Sequence, residues 1–159
     1  MDIQPGETID RRAVTAWQWS AAITSLCIAA VGAVIIIIAI KYNWPGWITV
    51  LIGAAIILEM YLDIIVIPPL RWKRWRYEIR EEEIDLLHGV VFVKRTMIPM
   101  IRIQHVDTHQ GPILRKYGLT SVTFSTAAGK HHIPALADDT AALVRNRIAE
   151  LARVNNEDI

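Results

Sequence analysis

Residues 17–40 read WQWSAAITSLCIAAVGAVIIIIAI and residues 47–67 read WITVLIGAAIILEMYLDIIVI, two apolar runs separated by six residues. No charged side chain lies between Ala13 and Ile40. At about 1.5 Å of rise per helical residue the first run is long enough to cross roughly 30 Å of hydrocarbon. The second is closed by Pro68-Pro69, which favours a break in a helix. The connection Lys41-Tyr42-Asn43-Trp44-Pro45-Gly46 is short, so the two helices must run antiparallel as a transmembrane hairpin. A cleaved signal peptide fits poorly. The chain opens Met1-Asp2 without a basic start, and the run ends Ile38-Ala39-Ile40-Lys41 without a small-x-small site.

Working outward, the remaining residues belong to a different solvent. Of the 159 residues 53% are hydrophobic and 21% charged, with mean hydropathy +0.30. Only three charged residues fall in 13–70, against five in 1–12 and 25 in 71–159. This distribution excludes a disordered tail, a disulfide-stapled miniprotein and a large multidomain enzyme. The net charge of +1 gives no support to nucleic-acid binding. The expected organisation is an N-terminal cytoplasmic segment 1–16, a hairpin 17–69 with helices 17–40 and 47–67, and a cytoplasmic domain 70–159.

All six tryptophans, Trp17, Trp19, Trp44, Trp47, Trp72 and Trp75, fall at the expected helix borders, as an aromatic belt would. Arg11 and Arg12 precede the first helix and Arg71, Lys73, Arg74 and Arg76 follow the second, while the loop holds only Lys41. Counted this way, both termini are expected in the cytoplasm of a multi-pass cell-membrane protein. Cys27 lies inside the first helix and reads as a small hydrophobe.

Glu59 and Asp63, four apart, share one face of the second helix, about 18 and 12 Å from Arg71 along its axis. Each costs roughly 2.5–3.5 kcal/mol at a helix centre, so this helix relies on its neighbour for insertion. Thr24 and Ser25 reach a similar depth and are expected to donate hydrogen bonds to Asp63. The pair reads first as a structural contact. Coupling to a proton or cation is the alternative, and two helices would need further copies or a partner to enclose a path.

Beyond Trp75 the pattern changes to short β-rich stretches, 76–80, 84–87, 90–98, 103–109, 119–125 and 130–133. Glu81-Glu82-Glu83, His88-Gly89, Pro99, Gly111-Pro112, Gly118 and Ala127-Ala128-Gly129 punctuate them. So many strands in so little chain must pair as antiparallel hairpins. Asp138 or Asp139 then opens a helix to about Arg153, whose apolar stripe is Ala141, Val144, Ile148 and Leu151. The fold class is therefore α+β: a two-helix transmembrane hairpin followed by a small antiparallel β-barrel or sandwich capped by a C-terminal helix.

The order Arg76-Tyr77-Glu78-Ile79, Ile98-Pro99, Arg102-Ile103-Gln104-His105-Val106, Pro112-Ile113-Leu114, Tyr117-Gly118-Leu119, Ser125-Thr126-Ala127-Ala128-Gly129 and Ile133-Pro134-Ala135-Leu136 resembles the bacterial pleckstrin-homology-like domain of YdbS-type membrane proteins. The resemblance covers about residues 70–150. It implies a PH-like fold facing the cytoplasm, no established enzymatic activity, and a larger membrane-protein partner bearing several such domains.

Within this domain the strongest local feature is Arg71-Trp72-Lys73-Arg74-Trp75-Arg76, candidate contacts to the membrane surface and its anionic lipids. It reads first as an ordinary positive-inside anchor, because the helices already fix the protein in the bilayer and added lipid affinity would be redundant. PH domains that hold phosphoinositides use basic residues around the first hairpin loop; here that loop is Glu81-Glu82-Glu83, whose charge argues against such binding. His105, Asp107 and His109 alternate along one strand, as metal ligands or as a solvated polar face. With no cysteine partner and no helical histidine pair, no metal and no cofactor are expected. No phosphate loop, nucleophile elbow or catalytic triad can be assembled, so an enzyme is not expected. The leading expectation is a non-enzymatic, membrane-anchored PH-like interaction module, working with a related larger membrane protein or as a homo-oligomer. The alternative is a subunit of a transport, export or stress-resistance complex that uses Glu59 and Asp63.

Overall fold

The computed structural model describes residues 5–157, with side chains as far as Val154. They form two units, residues 14–69 and residues 5–13 together with 70–157.

In the first unit, helix α1 (Arg12–Lys41) turns through Asn43, whose φ of 52° is left-handed, into helix α2 (Gly46–Tyr61). A π-helical turn (Leu62–Val66) and helix α3 (Ile67–Arg74) continue α2 without a break. The expected break at Pro68-Pro69 does not occur. Prolines lack the N–H of a regular turn and crowd the preceding carbonyls, and the wider π turn just before them relieves both conflicts. Both helices, Arg12–Lys41 and Gly46–Arg74, are long and apolar enough to cross a membrane. Gly32 lets them approach closely, because a Cβ there would collide with the Ile56 side chain.

The second unit is a sandwich of two antiparallel sheets. Strand β1 (Glu7–Thr8) pairs with β2 (Arg76–Ile79), β2 with β3 (Glu83–His88), and β3 with β4 (Lys94–Pro99). A 3-10 turn (Met100–Arg102) leads to β5 (Ile103–His109), which pairs with β6 (Leu119–Thr126) and β6 with β7 (Gly129–Ala137). The sheets do not close into a barrel. Alternation places Tyr77, Ile84, Leu86 and Ile98 inside from one sheet, and from the other, with a register shift between Thr120 and Val122, Leu119, Val122, Phe124 and Ile133. Helix α4 (Pro112–Lys116) bridges β5 and β6, and helix α5 (Asp138–Glu157) lies across β5, β6 and β7. From α5, Ala141, Val144, Ile148 and Ala152 are buried.

The N-terminal segment is built into this unit. Ile9 is 2% exposed, and its carbonyl accepts a hydrogen bond from the Trp72 indole at 3.0 Å. The Asp10 N–H donates to the Ala135 carbonyl at 3.3 Å, and Arg12 Nη1 to the Tyr117 carbonyl at 3.0 Å. Asp10 also caps the start of α1, its Oδ1 accepting the Arg12 N–H at 2.8 Å. Ala135 takes a left-handed φ of 50°, held from both sides because its own N–H donates to Ser121 Oγ at 3.3 Å. The apolar hairpin is thus inserted between the first and second strands of the sandwich.

The stretch 90–98, read as one strand, is extended only from Lys94. The β3–β4 register closes at His88 opposite Lys94, leaving residues 89–93 as the hairpin loop. Gly89, at φ 122°, is required there, since a Cβ would run into the Phe92 carbonyl.

Candidate functional site

Three segments converge on one end of the sandwich: the end of α3, the β3–β4 hairpin and the start of β7. Together they line a cleft of about 480 Å³. Trp75, 4% exposed, forms its back wall and stacks on His88, with ring centres 5.4 Å apart and planes at 15°. The His132 ring lies 6.4 Å from the same indole, and His131 stacks on Phe124 at 5.9 Å. Arg71, Lys94 and Lys130 complete the polar lining, and no carboxylate is among the lining residues.

Desolvation acts on two histidines of this cleft. Burial pushes the His88 imidazole below its ordinary pKa, and Lys94, His132, Arg71 and His131 push it the same way. His132 is lowered by burial and then by Arg71 and His131. The cleft concentrates N–H donors and positive charge, so it favours an anion over a cation or an apolar group.

The sign of the pH effect follows. Both histidines stay neutral in the folded protein at pH values where an unfolded chain binds protons. Their stabilising contribution is complete above about pH 6.5 and is lost as pH falls through their depressed folded values. The melting temperature in detergent is expected to drop as pH falls below about 6.5, and the double variant His88→Gln/His132→Gln to flatten that slope. A melting temperature that rises on acidification would contradict this assignment.

The residues singled out in the sequence are distributed as follows. Arg71, Trp72, Lys73 and Arg74 lie on α3, Trp75 is buried in the sandwich and Arg76 begins β2. Trp72 and Trp75 therefore serve the domain, one as a donor to Ile9 and one as a core wall. In the hairpin, Ser25 is fully buried and its hydroxyl donates to Glu59 Oε1 at 3.2 Å, rather than to Asp63. The Thr24 hydroxyl is engaged in its own helix, donating to the Ser20 carbonyl at 3.1 Å. Asp63 is carried into the π turn, one turn beyond Glu59. His105, Asp107 and His109 are exposed on β5, and β6 separates them from His131 and His132 on β7. Glu81 and Glu82 lie exposed between β2 and β3 and take no part in the cleft.

A family model described as a bacterial PH domain matches residues 19–152. The UPF0699 transmembrane protein YdbS of Bacillus subtilis (strain 168) is 39% identical over 156 residues, 98% of each chain. The UPF0699 transmembrane protein YdbT of the same organism is 25% identical over 98 residues, which are 62% of this chain and 20% of that longer one. No solved structure matches the chain.

Proposed function

We propose that this chain, which belongs to the bacterial PH-domain family, holds a non-enzymatic PH-like interaction module at the cytoplasmic face of the cell membrane and presents it to a larger membrane protein with related domains. The outer edge of β5 carries this reading. Among the described residues the strand ends its sheet with a partner on one side only, and five of its seven residues are exposed. An open edge offers a row of backbone donors and acceptors to an added strand. The likeness to part of the longer YdbT supports a partner of the same kind. Basic residues on both flanks of the hairpin favour the cytoplasmic side for the domain and both termini.

Affinity purification from native membranes is expected to recover a second membrane protein. Blunting the edge with His105→Lys/Thr108→Lys, both exposed positions, is expected to abolish that recovery at unchanged expression and melting temperature. Recovery of this chain alone from wild type would overturn the reading.

One observation favours a second reading, in which the hairpin serves transport. Glu59 Oε2 is buried without a hydrogen-bond partner. The variant Glu59→Gln/Asp63→Asn separates the two: the interaction module works normally once inserted, whereas a transport path loses activity at normal expression.

A further inference from the structure

The β3–β4 loop, residues 89–93, carries an apolar tip in full contact with solvent. Val91 is 82% exposed, Phe92 88% and Val93 54%, on a hairpin shaped by the left-handed Gly89. Nothing in the sandwich core requires these side chains, and three adjacent large hydrophobics at a loop tip are costly in water. The base of this loop, His88 and Lys94, is also a wall of the cationic cleft, and Lys130, His131 and His132 face it from β7. Arg71, in the same cleft, stands two residues beyond Pro69, where the chain leaves the apolar hairpin. One end of the domain thus combines an apolar tip, a pocket favouring an anion and the point of attachment to the membrane.

We propose that this end is a bilayer-contact site: the 91–93 tip enters the interfacial layer, and the cleft behind it takes the phosphate of an anionic lipid headgroup. The apolar tip is what distinguishes a lipid from a free phosphate ion, which would need only the cleft. Cations near an anionic surface add to the attraction. The groups facing His88 are Lys94, His131, His132 and Arg71, those facing His132 are Arg71, His131 and His88, and Lys130 lines the same cleft. A bound phosphate offsets these cations, so occupancy raises both histidine midpoints and binding strengthens as pH falls. The site is separate from the acidic turn Glu81-Glu82-Glu83, and it does not depend on the β5 edge being a docking surface.

The test uses the full chain in nanodiscs of phosphatidylcholine alone or with phosphatidic acid. A nitroxide is placed at position 92 by Phe92→Cys in a Cys27→Ser background, and histidine titrations are followed by NMR. Phosphatidic acid is expected to move the label from water into lipid and to shift the His88 and His132 midpoints upward. Lys94→Gln and Lys130→Gln, both at exposed positions, are each expected to raise the phosphatidic acid needed for half-saturation about fivefold. A label that stays in water on both discs overturns the proposal. So does a histidine shift produced equally by inorganic phosphate with the label still in water, which would assign the cleft to a free anion. Withdrawal of the label from water only on addition of a second membrane protein would assign the tip to that protein and equally overturn it.

Discussion

Replacing Arg95 with methionine is expected to remove about 3–5 kcal/mol of stability. Asp85 is 0% exposed, and Arg95 Nε reaches both of its carboxylate oxygens at 3.1 Å while Nη2 reaches Oδ2 at 2.7 Å. The two residues sit diagonally on β3 and β4, since Asp85 is opposite Met97 and Leu87 opposite Arg95. Without the guanidinium the buried carboxylate loses the cation that hydrogen-bonds it. The double variant Asp85→Leu/Arg95→Met removes the charge as well as its partner and is expected to recover most of the loss. Thermal melting of the three proteins in detergent checks this. A single variant that melts with wild type would show that the pair contributes nothing.

The second large effect concerns the N-terminal segment. Ile9→Ala is expected to cost about 2–5 kcal/mol, because it empties a position 2% exposed and loosens the backbone that accepts from Trp72 and donates to Ala135. On a domain of this size that lowers the melting temperature by more than about 8 °C. The substitution is remote in sequence from the sandwich, so a large drop identifies residues 5–13 as part of its core. A change of less than about 0.5 kcal/mol, typical of surface sites, would show that the segment only leads into the membrane.

How far the sequence revealed this arrangement depends on the range of the signal. The hairpin was legible because uninterrupted apolar runs need no tertiary information. The sandwich and its capping helix were legible from alternation, from turn residues and from the stripe Ala141, Val144, Ile148 and Leu151, although Ala152 is buried and Leu151 only half-buried. Strand β1 was not: two residues carry no period, and their partner on β2 lies beyond the whole hairpin. Residues 90–93 read as strand because Val-Val-Phe-Val has high β propensity, yet they have no partner strand and become a loop. Pro68-Pro69 read as a break because nothing local announces a π turn.

The cleft was illegible for a related reason. Arg71, His88 and His131-His132 come from separate segments, and only the fold places them around Trp75. The adjacent Lys130-His131-His132, beside a Trp that was assigned to the membrane border, was the available signal. Trp75 instead joins the sandwich, where strands on both sides can bury it. Ser25 and Glu59 were both legible as intramembrane polar residues, but their pairing with each other required knowing how the two helices face.

If the hairpin holds this domain where it engages a second membrane protein, the two lie within crosslinking reach in the native membrane. Crosslinking mass spectrometry on native membranes, with lysine-reactive and acid-reactive reagents and the protein at its natural level, tests it most directly. Crosslinks are expected from the domain, including Asp107 on the β5 edge, to a second membrane protein with related domains. Crosslinks confined to this chain and its own copies would contradict it.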